Sequence, residues 1–178
     1  MRWLHSILGG KKKMSALNPG TVAPDVTLPT LDGKQFSLKG ALGQGPVLLA
    51  FFKVSCPVCQ YTFPYLERIY KAHGKGKVTI VGVSQNSKKD TAAFLKEYGV
   101  TFPVLLDDTN SYPASNAYGL TNVPTLFWIN PDGRIEVSSV GWVRKEIDEI
   151  NHKAADAGAA MPVPLFGPKE NVPEFRAG

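Results

Sequence analysis

A continuous apolar run, Pro46 to Phe52 (PVLLAFF), interrupts an otherwise mixed sequence. Such a run without polar alternation is the pattern of a strand covered on both faces, as in a parallel sheet. Val78 to Val83 (VTIVGV) reads as a second buried strand. Between the two, Val58, Thr62, Tyr65, Leu66 and Ile69 fall on one face at spacings of three and four. That periodicity predicts a helix over Pro57 to Ala72. Pro64 lies inside it and is expected to bend it. Strand, helix and strand in this order predict a right-handed βαβ unit.

Upstream, Val26–Leu28 and Gln35–Leu38 flank Asp32-Gly33, the signature of a β-hairpin. The stretch from Leu38 to Gly45 reads as a loop. Downstream, Ser87 opens a helix, with Asp90 three residues on as in a capping box. Ala93, Phe94 and Tyr98 supply its apolar face, and Gly99 stops it. Phe102–Leu106 predicts a short strand and Tyr112–Tyr118 a short helix. Thr125–Ile129 predicts a strand, Asn130-Pro131-Asp132-Gly133 a turn, and Ile135–Val140 its antiparallel return. Val143–Ala155 closes as a helix. Pro162, Pro164, Pro168 and Pro173 disfavour regular structure in the last residues. Leu165, Phe166, Val172 and Phe175 nonetheless predict that this tail straps onto the domain. The expected organisation is a flexible extension over 1–19, one domain over 20–157, and a Pro-rich tail over 158–178.

Composition narrows the function classes. The 178 residues are 43% hydrophobic and 20% charged, as in a folded domain. No apolar run reaches the ~18 residues of a membrane-spanning helix, so no stable membrane insertion is expected. The net charge of +5 is concentrated at Lys11–Lys13 and around Arg68, Lys71, Lys75 and Lys77. No nucleic-acid motif accompanies it, so it reads as a solvated face. His5, His73 and His152 are scattered without metal-ligand spacing, and the two cysteines cannot form a four-cysteine site. No metal and no cofactor are expected, and the chain is expected to act as a monomer. The apolar stretch near Met1 is short and broken by His5, so it does not read as a secretory signal. On the chain as given, that points to the cytoplasm.

The two cysteines, Cys56 and Cys59, form one Cys-Pro-Val-Cys motif. Cys56 follows a buried strand and directly precedes a helix, with Pro57 suited to the first helical position. It therefore occupies the N-cap, facing free N–H groups and the positive end of the helix dipole. Both favour thiolate, the nucleophile of disulfide exchange. Cys59 lies on the same side of the first turn, placed to resolve a mixed disulfide formed at Cys56. Val123-Pro124 stands at the start of a strand. It is either a proline that simply begins that strand, or a cis-proline presenting the Val123 backbone to an extended substrate. Lys53 is either an exposed lysine or a charge that tunes the thiolate.

The segments PVLLAFFKVSCPVC and NVPTLFWINPDGRI, with Pro64 in the helix between them, resemble the thioredoxin superfamily. With the opening GTVAPDVTLPTLDGKQFSL, the chain is similar to its TlpA-like and ResA-like branch, which borders the alkyl hydroperoxide reductase and thiol-specific antioxidant grouping. The resemblance covers roughly residues 20–156. It implies an α/β thioredoxin-like fold, a central mixed sheet flanked by helices, with an N-terminal β-hairpin. It implies Cys56 as nucleophile, Cys59 as resolving thiol and Pro124 as cis-proline. Partners would be protein disulfides or dithiols and an external reductant, commonly outside the cytoplasm. Three positions depart from the pattern. Ser55 replaces a Trp, Ala50 replaces the buried Asp of thioredoxins, and Thr62 replaces the Glu of the ResA-like branch. The alternative is a peroxiredoxin-like thiol peroxidase. Its usual Pro-x-x-x-Thr-x-x-Cys is absent, because Leu49 and Lys53 stand at the Pro and Thr positions.

Overall fold

A hairpin of β1 (Thr27–Pro29) and β2 (Gln35–Ser37) begins the regular structure, as the Asp32-Gly33 turn predicts. Gly33 has φ +84°, a conformation that a side chain would oppose. The computed structural model describes residues 15–178. The expectation for residues 1–14, including Lys11–Lys13, lies outside the described residues. Residues 15–19, expected to belong to the extension, pack: Ala16 is buried and the Leu17 N–H donates to the Tyr118 carbonyl.

The stretch expected as a loop after Leu38 instead contains a short helix, α1 (Leu38–Leu42). Ser37 Oγ accepts the Gly40 N–H at 3.2 Å, so a side-chain cap starts the turn. A helix this short shows no apolar period, which is why the pattern concealed it. There follow β3 (Val47–Phe52), α2 (Pro57–His73), β4 (Thr79–Ser84) and α3 (Lys88–Glu97). Then come β5 (Val104–Leu106), α4 (Pro113–Ala117), β6 (Thr125–Ile129) and β7 (Ile135–Val140). Ser87 caps α3 by accepting the Asp90 N–H at 3.2 Å, and Gly99 turns the chain away with φ +66°. Helix α2 continues through Pro64, carried by the buried face of Phe63, Leu66 and Ile69.

The five-stranded sheet has the order β5-β4-β3-β6-β7. Strands β3, β4 and β5 are parallel, and β6 and β7 are antiparallel to their neighbours. This is the mixed sheet that the resemblance implies. Every residue of the central strand β3 is buried. Leu48, Ala50 and Phe52 pack with the α2 face, and Val47, Leu49 and Phe51 pack with the hairpin side. Each large side chain so buried contributes about 1.5–3 kcal/mol.

The chain ends through β8 (Trp142–Val143), α5 (Arg144–Ala157) and β9 (Phe175–Arg176), with β9 antiparallel to β8. The tail straps on as expected: Leu165 and Val172 are buried, and the Trp142 indole N–H donates to the Pro173 carbonyl at 2.7 Å. Phe175, counted among its anchors, is instead 61% exposed, because β9 is held by its backbone. Arg68, read as part of a solvated basic face, is paired with Glu170 of the tail at 2.7 Å. His73 is half-buried. Among the described residues no helix is long and apolar enough to cross a membrane.

Candidate active site

Strand β3 ends at Phe52, and the loop Lys53-Val54-Ser55 leads into Cys56, the N-cap of α2, with Pro57 at the first helical position. The Cys59 N–H donates to Cys56 Sγ at 3.1 Å. An unpaired donor of the helix terminus is thus directed at the sulfur. Cys56 is half-buried, whereas Cys59 is fully buried, and neither is in a disulfide.

Side chains fix the loop. The Cys56 N–H donates to the Lys53 carbonyl at 3.3 Å, and Gln60 Nε2 donates to the Val54 carbonyl at 3.0 Å. The Val54 N–H donates to Asn86 Oδ1 at 3.0 Å. Gln60 and Asn86 escaped the sequence reading. The only available signal was topological: parallel pairing sets Phe52 opposite Ser84, so the residues after β4 lie beside the loop after β3.

The facing wall comes from the antiparallel strand. Phe51 pairs with Thr125, so the start of β6 meets the end of β3. Immediately before it, the Val123–Pro124 peptide is cis. The Cys56 thiol donates to the Val123 carbonyl at 3.4 Å. The Pro124 carbonyl accepts the Gly141 N–H at 2.8 Å. The fold thereby brings Cys56, Cys59, Val123 and Pro124 together. Lys53 is exposed and lines a cleft of about 160 Å³ with Gln85, Leu120, Thr121, Asn122 and Val123. Its side chain makes no ion pair among the described residues.

Burial pushes the Cys59 thiol above the ordinary range, and its hydrogen bond to Cys56 adds to the effect. Ala50 and Thr62, the positions where the resemblance leads one to expect carboxylates, are fully buried. The Thr62 hydroxyl donates to the Val58 carbonyl at 2.7 Å, an internal helix bond. The site therefore pairs a half-buried sulfur with a fully buried one whose thiol form is favoured.

The sequence profile of the AhpC/TSA family matches residues 19–138. The chain is 35% identical over 132 residues to the thiol-disulfide oxidoreductase ResA of Bacillus subtilis, covering 74% of this chain and 70% of that protein. The chain belongs to the AhpC/TSA family. The chain is also 32% identical over 139 residues to the thioredoxin-like protein YneN of Bacillus subtilis, covering 76% of this chain and 79% of that one. Among solved structures, the thioredoxin domain of a Bacteroides vulgatus thiol-disulfide oxidoreductase superposes with a TM-score of 0.69 at 25% identity. The match covers 78% of this chain and 98% of that domain. A thioredoxin-family thiol:disulfide interchange protein from Chlorobium tepidum gives 0.64 at 28% identity, covering 79% and 99%. This AhpC/TSA member has the thioredoxin-like fold and is a thiol–disulfide oxidoreductase.

Proposed function

We propose that Cys56 attacks disulfides of protein substrates and that Cys59 resolves the mixed disulfide. The observation that carries this is the asymmetry of the pair. Cys56 Sγ is accessible and receives a helix-terminal N–H at 3.1 Å, while Cys59 is sealed behind it. The Cys56 thiolate forms a bond to one substrate sulfur, and the substrate S–S bond breaks, releasing a thiolate that takes up a proton. Cys59 then loses its proton and attacks Cys56 Sγ. The mixed disulfide breaks, the second substrate thiol leaves, and the Cys56–Cys59 disulfide keeps the oxidising equivalents. An external dithiol returns the pair to its reduced form.

The extended substrate pairs with Val123 beside Pro124. The Val123 N–H makes no hydrogen bond among the described residues, which supports that role. Lys53, at the rim of the adjoining cleft, adds positive charge that favours the attacking thiolate. The resemblance to a branch that commonly works outside the cytoplasm supports an extracytoplasmic site of action.

Insulin reduction in the presence of dithiothreitol tests the assignment. Wild type accelerates it and Cys56→Ser does not; equal rates would overturn it. Cys59→Ser holds its substrate as a mixed disulfide, visible on a non-reducing gel. Thiol loss within the mixing time at micromolar peroxide would favour the peroxidase reading instead.

A further inference from the structure

The tail does more than close the core. After Pro173, whose carbonyl is held by Trp142, the chain forms β9 against β8, with Phe175 opposite Val143 and Arg176 opposite Trp142. It then crosses Gly141. A Cβ on Gly141 would lie 2.5 Å from the Arg176 carbonyl oxygen and 3.1 Å from the Gly178 nitrogen. A Cβ on Gly178 would lie 2.3 Å from the Val123 carbonyl oxygen. Asn122 Nδ2 donates to the Gly178 carbonyl at 3.1 Å. The backbone of this segment is therefore pressed against the Val123–Pro124 peptide. The same Val123 carbonyl accepts the Cys56 thiol at 3.4 Å.

We propose that residues 174–178 form a strap that sets specificity: they cover the Val123 edge beside Cys56 without pairing with it, and a polypeptide substrate must displace them. The inference rests on the reading of Val123 as the pairing edge. An extended backbone entering the gap between Gly141 and Val123 meets one already there, with glycine where the approach is closest. A small disulfide needs no strand pairing and reaches the half-exposed Cys56 directly. The two substrate classes are separated by the strap rather than by the sulfur chemistry.

The attachment is suited to release. Its ladder is two residues long. The Arg144–Glu174 ion pair at 3.4 Å is exposed, with Glu174 82% accessible, so it holds little. Arg176 lies over the Tyr61 ring at 5.0 Å, another contact at the surface. Deeper anchors precede the strap: Val172 and Leu165 are buried, and Glu170 is bound by Arg68 and Tyr65. Residues 174–178 can lift while the rest of the tail stays packed.

The test compares kcat/KM for insulin and for 2-hydroxyethyl disulfide in three proteins: wild type, a chain lacking residues 174–178, and Gly178→Val. The valine adds a Cβ against the Val123 carbonyl and pushes the strap off without removing β9. It decides the matter should the truncated chain fail to fold, which circular dichroism reports. Both variants are expected to raise the insulin rate roughly tenfold, as when the pairing edge of wild type is free about a tenth of the time. The small-disulfide rate is expected to stay unchanged. An insulin rate that does not rise, or that rises in step with the small-disulfide rate, overturns the strap. Adding Cys56→Ser to each protein separates this from failure of the underlying function. Activity that survives that change discards the cysteine assignment itself. Activity that disappears with it leaves the assignment standing and lets the insulin ratio judge the strap alone.

Discussion

The wall that bears the cysteines runs without interruption from Phe52 to Gln60, whereas the wall facing it is gathered from Val123, Gly141 and Gly178. In the first, neighbouring residues hold one another: the Cys59 N–H meets Cys56 Sγ, and Gln60 closes on Val54. In the second, contacts arise only because β6 runs antiparallel to the central strand β3, β7 runs antiparallel to β6, and the tail folds back over β8. On the proposed function, the local wall supplies nucleophile and resolving thiol. The assembled wall decides what approaches them. Damage to the first is therefore expected to appear in chemistry, and damage to the second in stability and access.

Trp142→Ala sets the two walls furthest apart. Its indole is fully buried, with ring centroids 4.8 Å from Tyr61 and 4.9 Å from Tyr65, and it holds the Pro173 carbonyl. Its loss is expected to cost about 3–5 kcal/mol in urea unfolding. A cost below about 1 kcal/mol would show that packing does not hold the assembled wall. The next largest effect lies on the local wall. Because burial first, and Cys56 second, raise the Cys59 thiol above its ordinary range, its thiolate fraction grows as pH rises. Resolution of a preformed mixed disulfide is expected to accelerate about tenfold per pH unit between about pH 6 and 8. A flat profile in stopped-flow would reveal a base serving Cys59.

Asn86→Ala removes the acceptor for the Val54 N–H while leaving both cysteines in place. It is expected to cost about 1 kcal/mol in the same unfolding assay. An unchanged midpoint would mean that the loop before Cys56 holds itself. The smallest effect concerns Glu170 in the tail. The Arg68 hydrogen bond first, then the Tyr65 hydroxyl and the Gly167 N–H, lower its carboxyl from 4.5 to about 2. A lowered carboxyl stabilises fully above its unfolded value, and this contribution is lost as pH falls toward the folded one. Trp142 fluorescence is therefore expected to hold steady down to about pH 4.5 and to change as pH falls toward about 2. In Glu170→Gln that acid step should vanish; its persistence would assign the step to another carboxylate.

Much of this was legible because it is local. The β3 run, the three-and-four spacing of α2 and the Asp32-Gly33 turn each encode an element through neighbours alone. The same holds for Cys56 and Cys59, whose relation is fixed by one helical turn. Helix α1 was missed because one capped turn has no period to display. Gln60 and Asn86 were missed because nothing near them in the chain marks a polar residue that will meet a loop across the sheet.

Local sequence was enough to set the hairpin, the five sheet strands, the main helices and a thiol pair at a helix start, since propensity, capping and apolar period act over a few residues; β8 and β9 it did not show. Only the tertiary fold could settle that Val123 would accept from Cys56, that Trp142 would hold Pro173, and that Gly178 would lie against the Val123 carbonyl. Those contacts depend on sheet order and on where the tail finds uncovered apolar surface. Loop closure across such distances gains its reward only after the core has formed.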